Sequence, residues 1–177
     1  MVTLPTQIRA ADGHYVCTGF PPHSRKDYET VLEWLTTLGL ADEFPETFFL
    51  QFGVERGGVS FRDLGSDPEV DAIYGAGREA LAFIALHLTA HEFFLQAQER
   101  DLQCGVVYAP EEAMADEHFR ARGFPVQVHH PELGRDITYP GAPFRDSESR
   151  WQIHRRPPLV GEHTAEVLAE LGDPGNR

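Results

Sequence analysis

Nine histidines and twenty-eight acidic side chains give this 177-residue chain ample material for metal binding or acid–base work. Spacing decides whether any of it is assembled. His87 and His91 stand four apart, a ligand spacing on one helical face, but no HExxH accompanies them. Thr89 and Glu92 also read as a capping box, so a new helix starts between the two histidines. His129 and His130, with Glu132 close by, sit in a strand-like run where neighbouring side chains point to opposite faces and do not reach one ion. Ser24, Ser60 and Ser66 lie outside any GxSxG elbow. Gly75-Ala76-Gly77 resembles a fragment of a dinucleotide loop but lacks the third glycine and the preceding strand. Glu111-Glu112 and Asp116-Glu117 fit a solvated helix face better than a carboxylate dyad. Cys17 and Cys104 have no CxxC spacing and read as small buried hydrophobes. No catalytic residue is therefore expected from these groups, no metal site is expected, and no cofactor-binding residue can be named.

The elements that would position such residues fit within a chain of one-domain length. Its 41% hydrophobic and 24% charged residues are ordinary for a globular protein. A net charge of −13 repels polyphosphate, which argues against a general nucleic-acid partner. The apolar run around Leu81 to Leu86 is far shorter than the ~20 residues a membrane span requires. MVTLPTQIRAADGHYV has no basic region leading into an apolar one, so a cytoplasmic location is the default expectation. Fourteen of the fifteen basic residues are arginine, Lys26 being the exception. Residues 118–160 are the one locally positive stretch, with seven arginines against four acids. These arginines are expected to pair with acids within the chain or across an interface.

IRAADGHYVCTGF predicts a hairpin turning at Asp12-Gly13. Ser24 precedes Tyr28, Val31, Leu32, Leu35 and Leu38 at helical spacing, and Gly39 ends that helix. Residues 40–68, broken by Pro45, Gly53, Gly57, Gly58 and Gly65, read as turns around one or two short elements. A helix from Pro68 through Leu88 and a second from Thr89 follow, then a strand opened by Gly105. A helix from Pro110 is expected to stop at Gly123. FPVQVHH and RDITY, joined by PELG, form a second hairpin. Residues 140–158 read as an extended arm, and HTAEVLAELG as a terminal helix with Val167, Leu168 and Leu171 inward and Gly172 as its cap. The fold class is α+β, with short antiparallel hairpins and four or five helices. The arm and terminal helix have no evident packing partner within the chain.

Three ordered segments resemble the C-terminal part of the class III CoA-transferases, the CaiB/BaiF family that includes acyl-CoA racemases. They are AQERDLQCGVVYAPEEAMADEHFRARGF, VQVHHPELGRDITYPGAPFR and IHRRPPLVGEHTAEVLAELG. The last two match the family's "hPelG....pG.P.r" and "RR.P.LGEHT" patterns. RAADGHYV resembles the family's "r..DG.yv" hairpin, while Phe44 to Asp71 has no counterpart we can name.

The resemblance implies residues 1–139 as the family's small middle domain and 140–177 as the arm that returns to its large domain. It implies CoA transfer between carboxylic acids, with coenzyme A entering as an acyl-CoA substrate and no metal. The nucleophilic aspartate, most CoA contacts and a glycine-rich loop belong to the family's N-terminal half, so this chain is expected to be a partial enzyme, inactive alone. A homo-oligomer or a complementing chain is the implied partner. Gly19-Phe20-Pro21-Pro22 stand where the racemase branch carries a glutamate, which argues against racemase activity. The alternative is a non-catalytic interaction module derived from the same fold.

Overall fold

Three strands and four helices make up the first of two units, Met1–Tyr108 and Ala109–Arg177, into which the chain divides. The computed structural model describes residues 6–148 and 151–172. Part of the expected arm, at 149–150 and 173–177, and the start of the N-terminal stretch lie outside the described residues.

In the first unit, β1 (Gln7–Arg9) pairs antiparallel with β2 (Tyr15–Cys17), and β2 with β3 (Gly105–Val107), in the order β1-β2-β3. Asp12-Gly13 makes the expected turn, with Gly13 at φ +87°. The Asp12 carboxylate also works at long range. It accepts from His14 N at 3.1 Å and from Ala90 N, at the start of a distant helix, at 3.1 Å.

Helix α1 (Arg25–Thr37) is capped as its sequence predicts. Ser24 Oγ accepts from Asp27 N and Asp27 accepts from Ser24 N, which satisfies two donors that the first turn leaves open. Gly39 follows it at φ +72°. Helix α2 (Thr47–Arg56) is an element within the stretch read as turns around one or two short elements, and it ends at left-handed Gly57. Helix α3 (Pro68–Ala85) starts behind Asp67, with Pro68 in its first turn. The Thr89–Glu92 box opens α4 (Ala90–Glu99), so His87 and His91 do lie on either side of a helix boundary.

The core forms where the faces of these helices meet β2. Val16, Trp34, Leu35, Leu50, Ile73, Leu81, Ile84 and Phe93 are essentially without solvent contact. Burial of each such side chain contributes about 1.5–3 kcal/mol. Tyr28 sits among them, and two glycines make room for it. A Cβ on Gly53 of α2 would lie 2.7 Å from its ring, and one on Gly77 of α3 3.2 Å. Gly75-Ala76-Gly77 is therefore the interior of a helix, where the second glycine serves packing, and not a phosphate loop.

The second unit has helices α5 (Pro110–Ala115) and α6 (Glu117–Ala121), strands β4 (Pro125–His130) and β5 (Arg135–Pro140), and α7 (Thr164–Gly172). The single helix expected from Pro110 to Gly123 is thus two. Asp116 leaves the helix at ψ +136°, and its carboxylate accepts from His118 N and Phe119 N to cap the next one. Glu112 reaches back to Ala109 N at 2.7 Å. Glu112 and Asp116 are thus helix caps and not merely a solvated face.

Strands β4 and β5 pair in register from Pro125↔Pro140 to His130↔Arg135. Gly141 to Pro158 contains neither helix nor strand among the described residues, as the arm reading expects. On α7 the expectation is reversed: Val167, Leu168 and Leu171 are 48%, 62% and 73% exposed and face solvent. An amphipathic stripe requires an apolar partner, and among the described residues of this unit the stripe stays largely exposed. With seven helices among the described residues the molecule is α+β, with more helices than the four or five expected.

Candidate functional site

The strongest polar constellation joins the β4–β5 turn to the arm. Period-two alternation along β4 turns His130 inward, to 7% exposure, and leaves its neighbour His129 outside. His129 contacts Asp136 across the hairpin at 2.7 Å. His130 Nδ1 lies 2.8 Å from Glu132 Oε1 and its Nε2 lies 3.1 Å from the Tyr139 hydroxyl, with the two rings stacked at 5.7 Å. Glu132 in turn faces Arg156 of the arm, Oε2 to Nε at 2.7 Å. The contact is an ion pair, and the buried Arg156 Nε has no hydrogen-bond partner among the described residues. The guanidinium fork of Arg156 donates from Nη1 and Nη2 to both oxygens of Glu162, each at 2.8 Å. Glu162 closes the set by accepting from Leu159 N at 2.7 Å.

This order shapes the electrostatics. The Arg156 fork, with the Leu159 N–H, pulls Glu162 down to about 2. Burial pushes Glu132 up, but the hydrogen bond from His130 and the charge of Arg156 outweigh it and hold the carboxyl below its usual range. Arg155 is committed as well, with both Nη atoms on Glu166 of α7. A cleft of about 400 Å3 opens beside these groups, lined by Gln127, His129, His154, Arg155 and His163 among others. Its arginines have their terminal nitrogens on glutamates of the chain. The arrangement is accordingly suited to fixing the arm and α7 against the hairpin.

The other residues singled out above are structural. Ser24 caps α1, Ser60 Oγ accepts from Arg62 N, and Ser66 Oγ donates to Asp63 O. His87 Nδ1 lies 2.8 Å from Phe83 O within its own turn, and His91 is exposed. Burial pushes the Cys104 thiol up to about 12, so it is no ready nucleophile, and its Sγ lies 3.8 Å from Thr18 O. Lys26 pairs at the surface with Asp101. Gly19 takes φ +56°, and a Cβ there would fall 1.6 Å from Gln103 O, so this loop is fixed by close backbone approach. No group of three or more His, Cys, Asp or Glu side chains placed to hold a metal ion occurs among the described residues. Nothing in the sequence spacing joins His130, Glu132, Arg156 and Glu162 into one chain. Its available signal was that HHPELG and RRPPLVGEHT each carry both charge signs.

Comparison with known proteins bears on this pair of segments. The family model described as CoA-transferase family III matches residues 33–164, from within α1 to the first residue of α7. The succinyl-CoA:(R)-benzylsuccinate CoA-transferase subunit BbsE of Thauera aromatica is 57% identical over 42 residues, 24% of this chain and 10% of that protein. A formyl-CoA:oxalate CoA-transferase of Rhodopseudomonas palustris is 37% identical over 71 residues, 40% of this chain and 16% of that protein. The crystal structure of a CAIB/BAIF family protein from Brucella suis matches 93% of this chain and 36% of its own, with a TM-score of 0.51 at 19% identity, which is a likeness of fold. The chain thus spans little more than a third of that solved relative and smaller shares of the curated ones.

Proposed function

Because this chain belongs to CoA-transferase family III, we propose that its 177 residues supply the small domain and C-terminal arm of an enzyme that moves CoA between carboxylic acids. Coenzyme A enters in this reading as the acyl-CoA substrate, and the arm begins near Pro140. The observation that carries the proposal is the family match over residues 33–164. In support, His130 and Glu132 of one family-like segment meet Arg156 and Glu162 of another in one network. The chain's role is to complete the enzyme from outside the nucleophile. The Glu132–Arg156–Glu162 lock holds α7 so that Val167, Leu168 and Leu171 face a partner surface, either a second copy or a chain carrying the family's N-terminal half. A cytoplasmic location suits such an enzyme, and no helix among the described residues is long and apolar enough to cross a membrane.

An acyl-CoA exchange assay tests this reading. The 177 residues alone should give no turnover, and adding the family's N-terminal half should restore it. Turnover by the 177 residues that a single internal carboxylate substitution abolishes would overturn the division of labour. Failure of every complemented sample would favour the non-catalytic module, for which the exposed α7 face is the relevant feature. Light scattering gives a second test, because the unpartnered face predicts self-association and a monodisperse monomer contradicts it.

A further inference from the structure

A cavity of about 590 Å3 in the second unit is used by nothing described so far. Its lining comes from the end of α6, from the arm just after β5, and from Trp151 and Gln152 further along the arm. Backbone contact holds the first two walls together. Gly141 N donates to Phe124 O at 2.6 Å, and a Cβ on Gly141 would fall 2.5 Å from that oxygen, so the close approach depends on glycine. Two arginines then brace the walls reciprocally: Arg122 donates from Nη2 to Pro143 O at 3.0 Å, and Arg145 donates from Nη2 to Arg122 O. Arg122 is thus fixed at the residue between the lining residues Ala142 and Phe144. Arg145 Nη2 lies 3.7 Å from where a Cβ on Gly123, also in the lining, would stand. Each guanidinium is anchored on the wall opposite its own segment.

These braces leave charge and donors over. A backbone carbonyl takes one N–H and neutralises nothing, and a guanidinium has further N–H donors beyond the one so used. The arginines of residues 118–160 are expected to find acids, yet neither Arg122 nor Arg145 has an ion pair among the described residues. Asp146 is the acid of the lining, and its Oδ1 accepts from Glu148 N at 2.8 Å. Two cations against one carboxylate leave a single positive charge, which a monoanion balances and a phosphate dianion exceeds. Phe144 and Trp151, 61% and 49% exposed, add aromatic surface. A guanidinium suits the planar carboxylate group, and aromatic surface suits a flat hydrocarbon body. The volume falls within the range of small-molecule sites.

We propose that this cavity binds a flat aromatic acid, its carboxylate at the wall braced by Arg122 and Arg145 and its rings against Phe144 and Trp151. The binding goes beyond the CoA-transferase reading and stands without it.

The test is an NMR-detected titration of the full 177-residue chain with 2-naphthoate, with hexanoate, 2-naphthalenemethanol and inorganic phosphate as comparison probes. The chain has two tryptophans, so the Trp151 indole N–H reports the cavity while that of Trp34, buried and bonded to Gln96, is an internal reference. Saturable shifts are expected at the Trp151 indole and at the amides of Gly123 and Phe144, with none at Trp34. Naphthoate should bind more tightly than each comparison probe. Arg145→Met should weaken naphthoate roughly tenfold, in line with a lost hydrogen bond to a charged group. It should leave the alcohol's affinity almost unchanged, whereas an arginine that only braces the wall would lower both alike. Arg145→Lys, which keeps the charge and loses the fork, should fall between. Phe144→Ala should weaken acid and alcohol together. Both side chains are exposed, and unchanged amide shifts in β4 and β5 show that the hairpin keeps its fold in each variant. Absence of saturable shifts overturns the proposal. So does any comparison probe that binds as tightly as naphthoate, or an Arg145→Met variant that keeps the full preference for the acid over the alcohol.

Discussion

In the first unit Trp34, Leu35, Ile84 and Phe93 have no solvent contact, whereas in the second Leu159, Val167, Leu168 and Leu171 are between 48% and 73% exposed. The whole buried apolar cluster lies between Ala10 and Ala97. Among the described residues of the second unit, Val128 is the buried apolar side chain, and order there comes from the β4–β5 ladder, helix caps and the Glu132–Arg156–Glu162 chain. Buried apolar area carries no charge to screen or titrate, while partly exposed ion pairs weaken with added salt and with acid. The two regions should therefore fail under different conditions. The first holds its own buried core, and the second, with its apolar side chains largely exposed, is the part that the proposed function assigns to a partner.

The largest effect expected is on the core. Phe93→Ala removes a wholly buried ring packed 5.2 Å from Trp34 and should cost about 3–5 kcal/mol in denaturant unfolding followed by tryptophan fluorescence. Next comes Gly53→Val, which drives a side chain into the Tyr28 ring and should cost about 1–3 kcal/mol by the same measurement. Thr89→Ala removes one half of a capping box and should cost about 1 kcal/mol, with amide exchange faster in the first turn of α4.

Arg156→Met should have the smallest effect on global unfolding and a selective one on the second unit. All its described partners lie there, so protease sensitivity should rise between residues 141 and 163 with little change in the unfolding midpoint of the core. If the midpoint fell as far as in Phe93→Ala, the contrast between the units would be wrong. Acid offers the same test without a mutation. Glu162 is held below its free value, so its contribution is complete above the ordinary carboxylate range and is lost as pH falls through about 2. Glu132 is lowered too and acts in the same direction. Amide exchange should therefore loosen around Arg156 and Glu162 in acid before it loosens in α1.

The sequence was most legible where local chemistry and tertiary packing agree. Ser24 and Thr89 announce α1 and α4 because the cap and the apolar spacing fall in the same window. The type and bounds of α2, within a stretch that reads only as turns around one or two short elements, are obscured because Gly53 looks like a breaker, and its reason for being glycine is the ring of Tyr28, distant in sequence. The break at Asp116 was hidden because an acid in a polar run can equally be a solvated helical residue or a cap, and only backbone geometry separates the two. Periodicity in α7 reveals the amphipathic stripe but not its direction, and Val167, Leu168 and Leu171 are exposed where the spacing predicts them inward. Of the polar network, His130 facing inward followed from strand alternation. The pairing of Glu132 with Arg156 needed a fold that brings together positions on either side of the arm.

Tyr28 has a consequence of its own. Its hydroxyl is buried and has no hydrogen-bond partner among the described residues, and burial, with the nearby Asp27 charge, pushes its ionisation well above the ordinary phenol range. Ionisation of a phenol held this way is opposed for as long as the helices packed against it stay closed. Of the chain's five tyrosines Tyr28 should therefore ionise last in an alkaline titration, and a late ultraviolet difference band lost in Tyr28→Phe turns one inert side chain into an optical reporter of core opening.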